Sequence, residues 1–214
     1  MSKSFKVVTD NLDRIDYFTP ANFPNTHLYP GELEREIDGI LRIIFNGNEC
    51  DLYPNGCVIH PDVDFIDYAR LDSAVILGKG TTFTHKPSNM NDFVEIGKQA
   101  RVEGTVFGAK VKIGKFAVVL AQYVGNDSKI GEEAEIFSDV IIGNSVGIDV
   151  KSVIGKGVII GNSARLGNKT NVGDGATIGV HATVGSFKGS RAEVAKQGGT
   201  FVPVGETVPS YAHI

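Results

Sequence analysis

The stretch Ile142-Gly143-Asn144-Ser145-Val146-Gly147-Ile148-Asp149-Val150-Lys151-Ser152-Val153-Ile154-Gly155-Lys156-Gly157-Val158-Ile159-Ile160-Gly161 decides the fold. An aliphatic residue returns in it at every sixth place. The series runs without a miss through Ile130, Ile136, Ile142, Ile148, Ile154, Ile160, Leu166, Val172, Ile178 and Val184. That period is neither helical nor simply alternating. The next residue is usually Gly, as in Ile142-Gly143, Ile160-Gly161 and Ile178-Gly179. Four places after the aliphatic stands a small or β-branched residue: Ala134, Val140, Val146, Ser152, Val158, Ala164, Thr170, Ala176 and Ala182. Two inward positions per hexad suit a short strand with alternating faces, followed by a corner of small residues.

Such hexads are a sequence form of the parallel β-helix. The corners agree: Asn144-Ser145, Lys156-Gly157, Asn162-Ser163, Asn168-Lys169 and Asp174-Gly175 carry Gly or Asn, which tolerate positive φ. Three hexads close one triangular coil, and stacking coils at about 4.8 Å pairs each strand in parallel with its copy. This places Ile130, Ile148, Leu166 and Val184 in one interior column, Ile136, Ile154 and Val172 in a second, and Ile142, Ile160 and Ile178 in a third. Upstream the repeat continues less regularly through Ile59, Phe65, Leu71, Leu77, Phe83, Ile96, Val102, Ile113 and Val119. Phase breaks fall between Phe83 and Ile96, Val102 and Ile113, and Val119 and Ile130. The repeat domain is expected over 59–186.

On these residues the chain resembles the hexapeptide-repeat proteins with a left-handed parallel β-helix. Handedness is what the resemblance implies; parallel crossovers in general are right-handed. The expected class is all-β, with a short N-terminal α-helical or irregular cap over 1–58 and a C-terminal extension over 187–214. In the cap, Leu33, Ile37, Ile40, Leu41 and Ile44 fall on one helical face across Gly31 to Phe45. Such a helix would cover the open edge of the first coil, or else form a substrate- or partner-binding appendage. Phe5 to Val8 reads as a short strand. Phe201-Val202-Pro203 to Val208-Pro209 resembles the exit strand of these proteins, without the Gly-x-Pro-Ala element usual in sugar acetyltransferases.

The resemblance implies a CoA-dependent acyltransferase that moves an acetyl or other acyl group from acyl-CoA to a small hydroxyl or amine acceptor, a sugar among them. It also implies a homotrimer with clefts between prisms. One histidine takes the acceptor proton there, while backbone N–H groups hold the thioester oxyanion. His85 lies in the polar interruption Thr84-His85-Lys86-Pro87-Ser88-Asn89-Met90-Asn91-Asp92 and is the first candidate base, with Asn89, Asn91 and Asp92 to orient ring or substrate. The other reading is a surface loop. His181, at a corner in line with Ser163 and Ser145, is the alternative base. His60 precedes a proline at the first coil, and His27 and His213 lie in the irregular ends. For CoA phosphates the basic candidates are Arg165, Lys169, Lys188 and Arg191. Lys151 and Lys169 occupy equivalent corners, where like charges repel unless a carboxylate or anion intervenes. Phe107, Phe116, Tyr123 and Phe137 are expected on an outer, trimer-forming face.

Other classes fit less well. A net charge of −4 and a pI near 5.7, with no block of Lys or Arg, argue against nucleic-acid binding. Two cysteines, Cys50 and Cys57, make no disulfide framework, and no apolar segment follows Met1. The expectation is a cytoplasmic protein with reduced thiols and no membrane partner. Gamma-class carbonic anhydrases share the fold but use three convergent histidines, which the spacing of His60, His85 and His181 does not supply; no metal is expected. A nucleotidyltransferase is disfavoured because no Gly-rich phosphate loop precedes the repeat. The remaining alternative to an enzyme is a trimeric β-helix scaffold or binding module.

Overall fold

A computed structural model describes residues 41–45, 48–52, 56–65, 69–72, 74–84, 88–185 and 199–214. Most hexads yield a two-residue strand whose second residue is buried, as in Gly147–Ile148, Val153–Ile154 and Ile159–Ile160. Successive strands enter different sheets. Each pairs in parallel with its equivalent one coil on, so that Ile148 registers with Leu166, Ile154 with Val172 and Ile160 with Ile178. Among the described residues three sheets of ten, eight and eight strands result, and they are the three faces of a prism. The first sheet ends at Thr183–Val184, the second at Phe201–Val202 and the third at Thr207–Val208. We call the turn from first to second sheet the first corner, and the next two the second and third. This is the all-β, left-handed parallel β-helix expected from the repeat.

The core is the stack of inward residues. Ile136, Ile154 and Val172 are all buried in one column, and Ile142, Ile160 and Ile178 in another. Hydroxyls that enter the interior find carbonyls. Thr170 Oγ1 donates to Gly167 O at 2.7 Å, and Ser128 Oγ to Gly143 O at 2.9 Å. Burial of these polar groups is therefore compensated.

The corners differ from expectation in one respect. Positive φ falls on Ser145, Ser163, Lys169 and His181, whereas Asn144 and Asn162 do not adopt it. The asparagines instead act as acceptors between coils: Asn162 Oδ1 takes the Asn144 N–H and Asn144 Oδ1 the Asn126 N–H, both at 2.8 Å. The left-handed residues are held by backbone bonds to the previous coil, such as Ser163 N to Asn144 O at 2.8 Å. A repeated coil thus supports at non-Gly corners a conformation that isolated turns reserve for Gly.

The Gly that follows the aliphatic answers to space. A Cβ on Gly143 would stand 2.5 Å from Asn162 Oδ1 and 2.9 Å from its backbone N. Gly143→Ala is expected to destabilise by about 1–3 kcal/mol through overpacking. Gly147→Ala, whose Cβ would meet nothing within 4 Å, should be neutral or stabilising. Denaturation midpoints check this, and equal shifts in the two variants would contradict the close approach of coils at Gly143.

All three phase breaks lie at the second corner. Phe83 to Met90 carries one residue more than a hexad, while Val102 to Phe107 and Val119 to Val124 each carry one fewer. The shortened corner corrects the expectation for Phe107. It registers with Met90 and Val124 in the third interior column and is fully buried, because the missing residue shifts it by one place and so to the other side of its strand.

At the N-terminal end, Leu41–Phe45 is a strand, paired antiparallel with Asn48–Leu52, which pairs in turn with Val58–Ile59. The described end of the expected helix is therefore a hairpin. Adding strands satisfies the open backbone edge of the first sheet, which helical packing alone would leave unbonded. Residues 31–40 of that expected helix, and Phe5 to Val8, lie outside the described residues. Cys50 and Cys57 are both buried and form no disulfide, and Cys57 Sγ donates to Asp72 O at 3.1 Å. At the other end, Phe201–Val202 and Thr207–Val208 extend the second and third sheets beyond Asn171–Val172 and Thr177–Ile178. The segment expected as an exit strand thus builds one more coil, with Val202 and Val208 in its interior. No helix among the described residues is long and apolar enough to cross a membrane.

Candidate active site

His85, with Lys86 and Pro87, lies outside the described residues, but both stems of its segment are fixed. Thr84 is buried at the end of the Thr82–Phe83 strand. Its Oγ1 donates to Glu103 Oε2 at 3.2 Å and accepts from Arg101 Nε at 3.3 Å. Arg101 and Glu103 pair with each other at 3.4 Å. On the far side, fully buried Ser88 accepts the Thr105 N–H at 3.3 Å. The long second corner therefore starts and ends on anchored residues, the setting in which a loop can carry a reactive side chain on a rigid frame.

The proposed orienting residues separate. Asn89 is exposed in the three-residue strand Ser88–Met90, immediately after the stem. Asn91 and Asp92 follow that strand, toward the third corner, three and four residues on from Ser88. Asn89 alone among the three is next to the candidate loop.

His181 stands where the repeat placed it. It is exposed at the third corner with φ of 56°, in line with Ser145 and Ser163, and its N–H donates to Asn162 O at 2.9 Å. Its ring stacks on Tyr211 of the next coil at 5.1 Å, a partner that no single hexad reveals. The stem residues Thr84 and Ser88 flank the second corner, whereas His181 is at the third corner five coils later. Of the basic candidates, Arg165 faces outward on the first sheet and Lys169 is at the first corner. Lys188 and Arg191 lie outside the described residues. The expected Lys151–Lys169 repulsion is eased by a carboxylate one coil earlier: Glu133 pairs with Lys151 at 3.2 Å. Among the described residues no three His, Cys, Asp or Glu side chains gather as a metal site.

The outer side of the third sheet is the notable surface. From Asn89 onward, the outward positions in register are Val106, Tyr123, Ile141 and Ile159. These four are 38%, 36%, 39% and 49% exposed, an unusual ladder of apolar side chains open to water. Phe137 is exposed near the same edge, at the second corner, and Phe116 lies exposed at the first corner, away from this face.

Period, register and stacked columns together settle the architecture. The chain folds as a parallel β-helix built from hexapeptide repeats. No family model matches the sequence, and no curated protein matches it. Solved structures of similar fold include the UDP-N-acetylglucosamine acyltransferase of Francisella novicida, at 21% identity over 61% of this chain and 59% of that one, with a TM-score of 0.37. The UDP-N-acetylglucosamine O-acyltransferase of Moraxella catarrhalis is 17% identical over 59% of this chain and 64% of that one, with a TM-score of 0.36. The polySia-specific acetyltransferase NeuO is 12% identical over 72% of this chain and 76% of that one, with a TM-score of 0.38. The chain spans less than two thirds of the length of the first two.

Proposed function

We propose that the protein is a cytoplasmic, CoA-dependent acyltransferase, active as a homotrimer, that transfers an acyl group from acyl-CoA to a hydroxyl or amine of a small acceptor such as a sugar. The observation that carries the reading is the apolar ladder of the third sheet, Val106 to Ile159. Its first member, Val106, is in register with Asn89, directly after the stem of the His85 segment. Covering the ladder with a second copy removes apolar surface from water and brings a neighbouring prism up to the second corner. His85 then acts as general base from the shared cleft, with Asn89 beside it on the acceptor side and Asn91 and Asp92 further along the same coil. Arg165, Lys169, Lys188 and Arg191 serve the phosphates of CoA. The reaction class itself comes from the resemblance of the repeat to acyltransferases of this architecture.

Incubating the protein with acetyl-CoA and mixed sugar and amine acceptors tests the activity, read by thiol release and by mass spectrometry of the acylated product. Failure to release thiol, together with no heat of CoA binding, would favour the non-enzymatic scaffold. The assembly has its own test. Light scattering is expected to give about three times the 22.9 kDa chain mass. Ile141→Asp combined with Ile159→Asp should shift it to the monomer, because desolvating a carboxylate on that face opposes association. A wild-type monomer at micromolar concentration would remove the shared cleft on which the proposed catalysis depends.

A further inference from the structure

One triplet recurs in three successive coils: Leu77-Gly78-Lys79, Ile96-Gly97-Lys98 and Ile113-Gly114-Lys115. Leu77, Ile96 and Ile113 are in register on the first sheet, so the three lysines follow one another along the first corner at about one strand spacing, some 4.8 Å. Like charges so placed repel unless something negative lies among them. Lys79 is offset by Asp62 at 3.3 Å. Among the described residues, neither Lys98 nor Lys115 has an ion-pair partner. Glu95 is paired with Lys112 at 2.9 Å, and Glu132 holds the place equivalent to Lys115 one coil on.

The same three lysines line a cleft of about 330 Å³, whose wall includes Val58 and Ile76 on the first sheet. His60 lines it as well. The His60 side chain is only 9% exposed, and its Nδ1 accepts the Asp62 N–H at 3.0 Å. A ring nitrogen that accepts carries no proton, so the neutral ring holds its hydrogen on Nε2. Among the described residues Nε2 has no hydrogen-bond partner. Nε2 borders the open cleft, where a ligand acceptor would take its hydrogen in place of solvent.

We propose that this cleft binds the phosphate groups of a small phosphorylated molecule, with Lys79, Lys98, Lys115 and the His60 Nε2–H as donors. Three ammonium groups spread over two coil spacings, roughly 10 Å, suit an anion with several oxygens in a row, as in a pyrophosphate, better than a single carboxylate. The apolar wall accommodates the organic remainder. The site lies at the first corner, apart from the second corner that bears His85, and it stands whether or not the protein transfers acyl groups.

Calorimetric titration of the full chain with inorganic pyrophosphate at low salt tests the proposal. Saturable binding is expected, weakened about tenfold or more by Lys98→Gln and by Lys115→Gln, as suits loss of a charge-assisted hydrogen bond. Lys156→Gln, at the second corner, should leave the affinity unchanged. Both cleft lysines are exposed, so unaltered melting temperatures are expected and keep the comparison clean. Absence of saturable binding would overturn the site. So would an equal loss in Lys156→Gln, which would mark diffuse charge attraction, or an equal affinity for acetate, which would refute the choice of phosphate.

Discussion

His85→Ala is expected to lower acyl-transfer turnover by about 10²–10⁴-fold, the usual contribution of a positioned general base, while leaving the melting temperature unchanged. The segment is bounded by Thr84 and Ser88, whose hydrogen bonds to Glu103, Arg101 and Thr105 do not involve the imidazole. If His85 is the proposed base, losing the ring removes proton abstraction while those stem bonds remain available. Asn89→Ala should have a smaller effect if it orients a group without exchanging a proton. His181→Ala is the decisive comparison. Turnover abolished there and retained in His85→Ala would move the base to the third corner, beside Tyr211.

Ile154→Ala is expected to cost about 2–5 kcal/mol, from lost burial and the cavity left behind. Ile154 is fully buried between Ile136 and Val172 in a column one residue wide, where the neighbouring coils are fixed by backbone bonds and cannot close on the gap. Against a typical net stability of about 5–15 kcal/mol, that loss is large. Lys156→Ala should have almost no effect, since its side chain is exposed and the bond made there uses its backbone N–H, given to Asp174 Oδ1 at 2.8 Å. Matching thermal shifts for the two variants would contradict the register.

The interior columns were legible from Ile130 to Val184 because the hexad is local. Which residue faces inward depends only on its place within six, and Ile154, Leu166 and Ile178 are buried as that place requires. Phe107 was not legible, since a one-residue deletion at the second corner reverses inward and outward and only the pairing with Met90 and Val124 reveals where it falls. The end of the expected N-terminal helix failed for a related reason. Leu41 and Ile44 suit a helical face, but Asn48–Leu52 offers the backbone a strand partner, and tertiary pairing overrides local periodicity.

The candidate site divides in the same way. The sequence by itself determined the repeat, its coil length, the interruption that carries His85 and the alignment of His181 with Ser145 and Ser163, because each follows from counting along the chain. The Leu77-Gly78-Lys79 triplet and its two copies were also visible to counting, although their charges are scattered in the sequence and form no basic run. Only the tertiary structure decided what those residues meet. Coil stacking brings together side chains 17 to 19 residues apart, so Lys79, Lys98 and Lys115 line one cleft with His60. Val106, Tyr123, Ile141 and Ile159 share one exposed face for the same reason. Spacing along a chain sets which way a side chain points. Its neighbours across coils depend on every insertion and deletion in between, and that sum exists only in the folded stack.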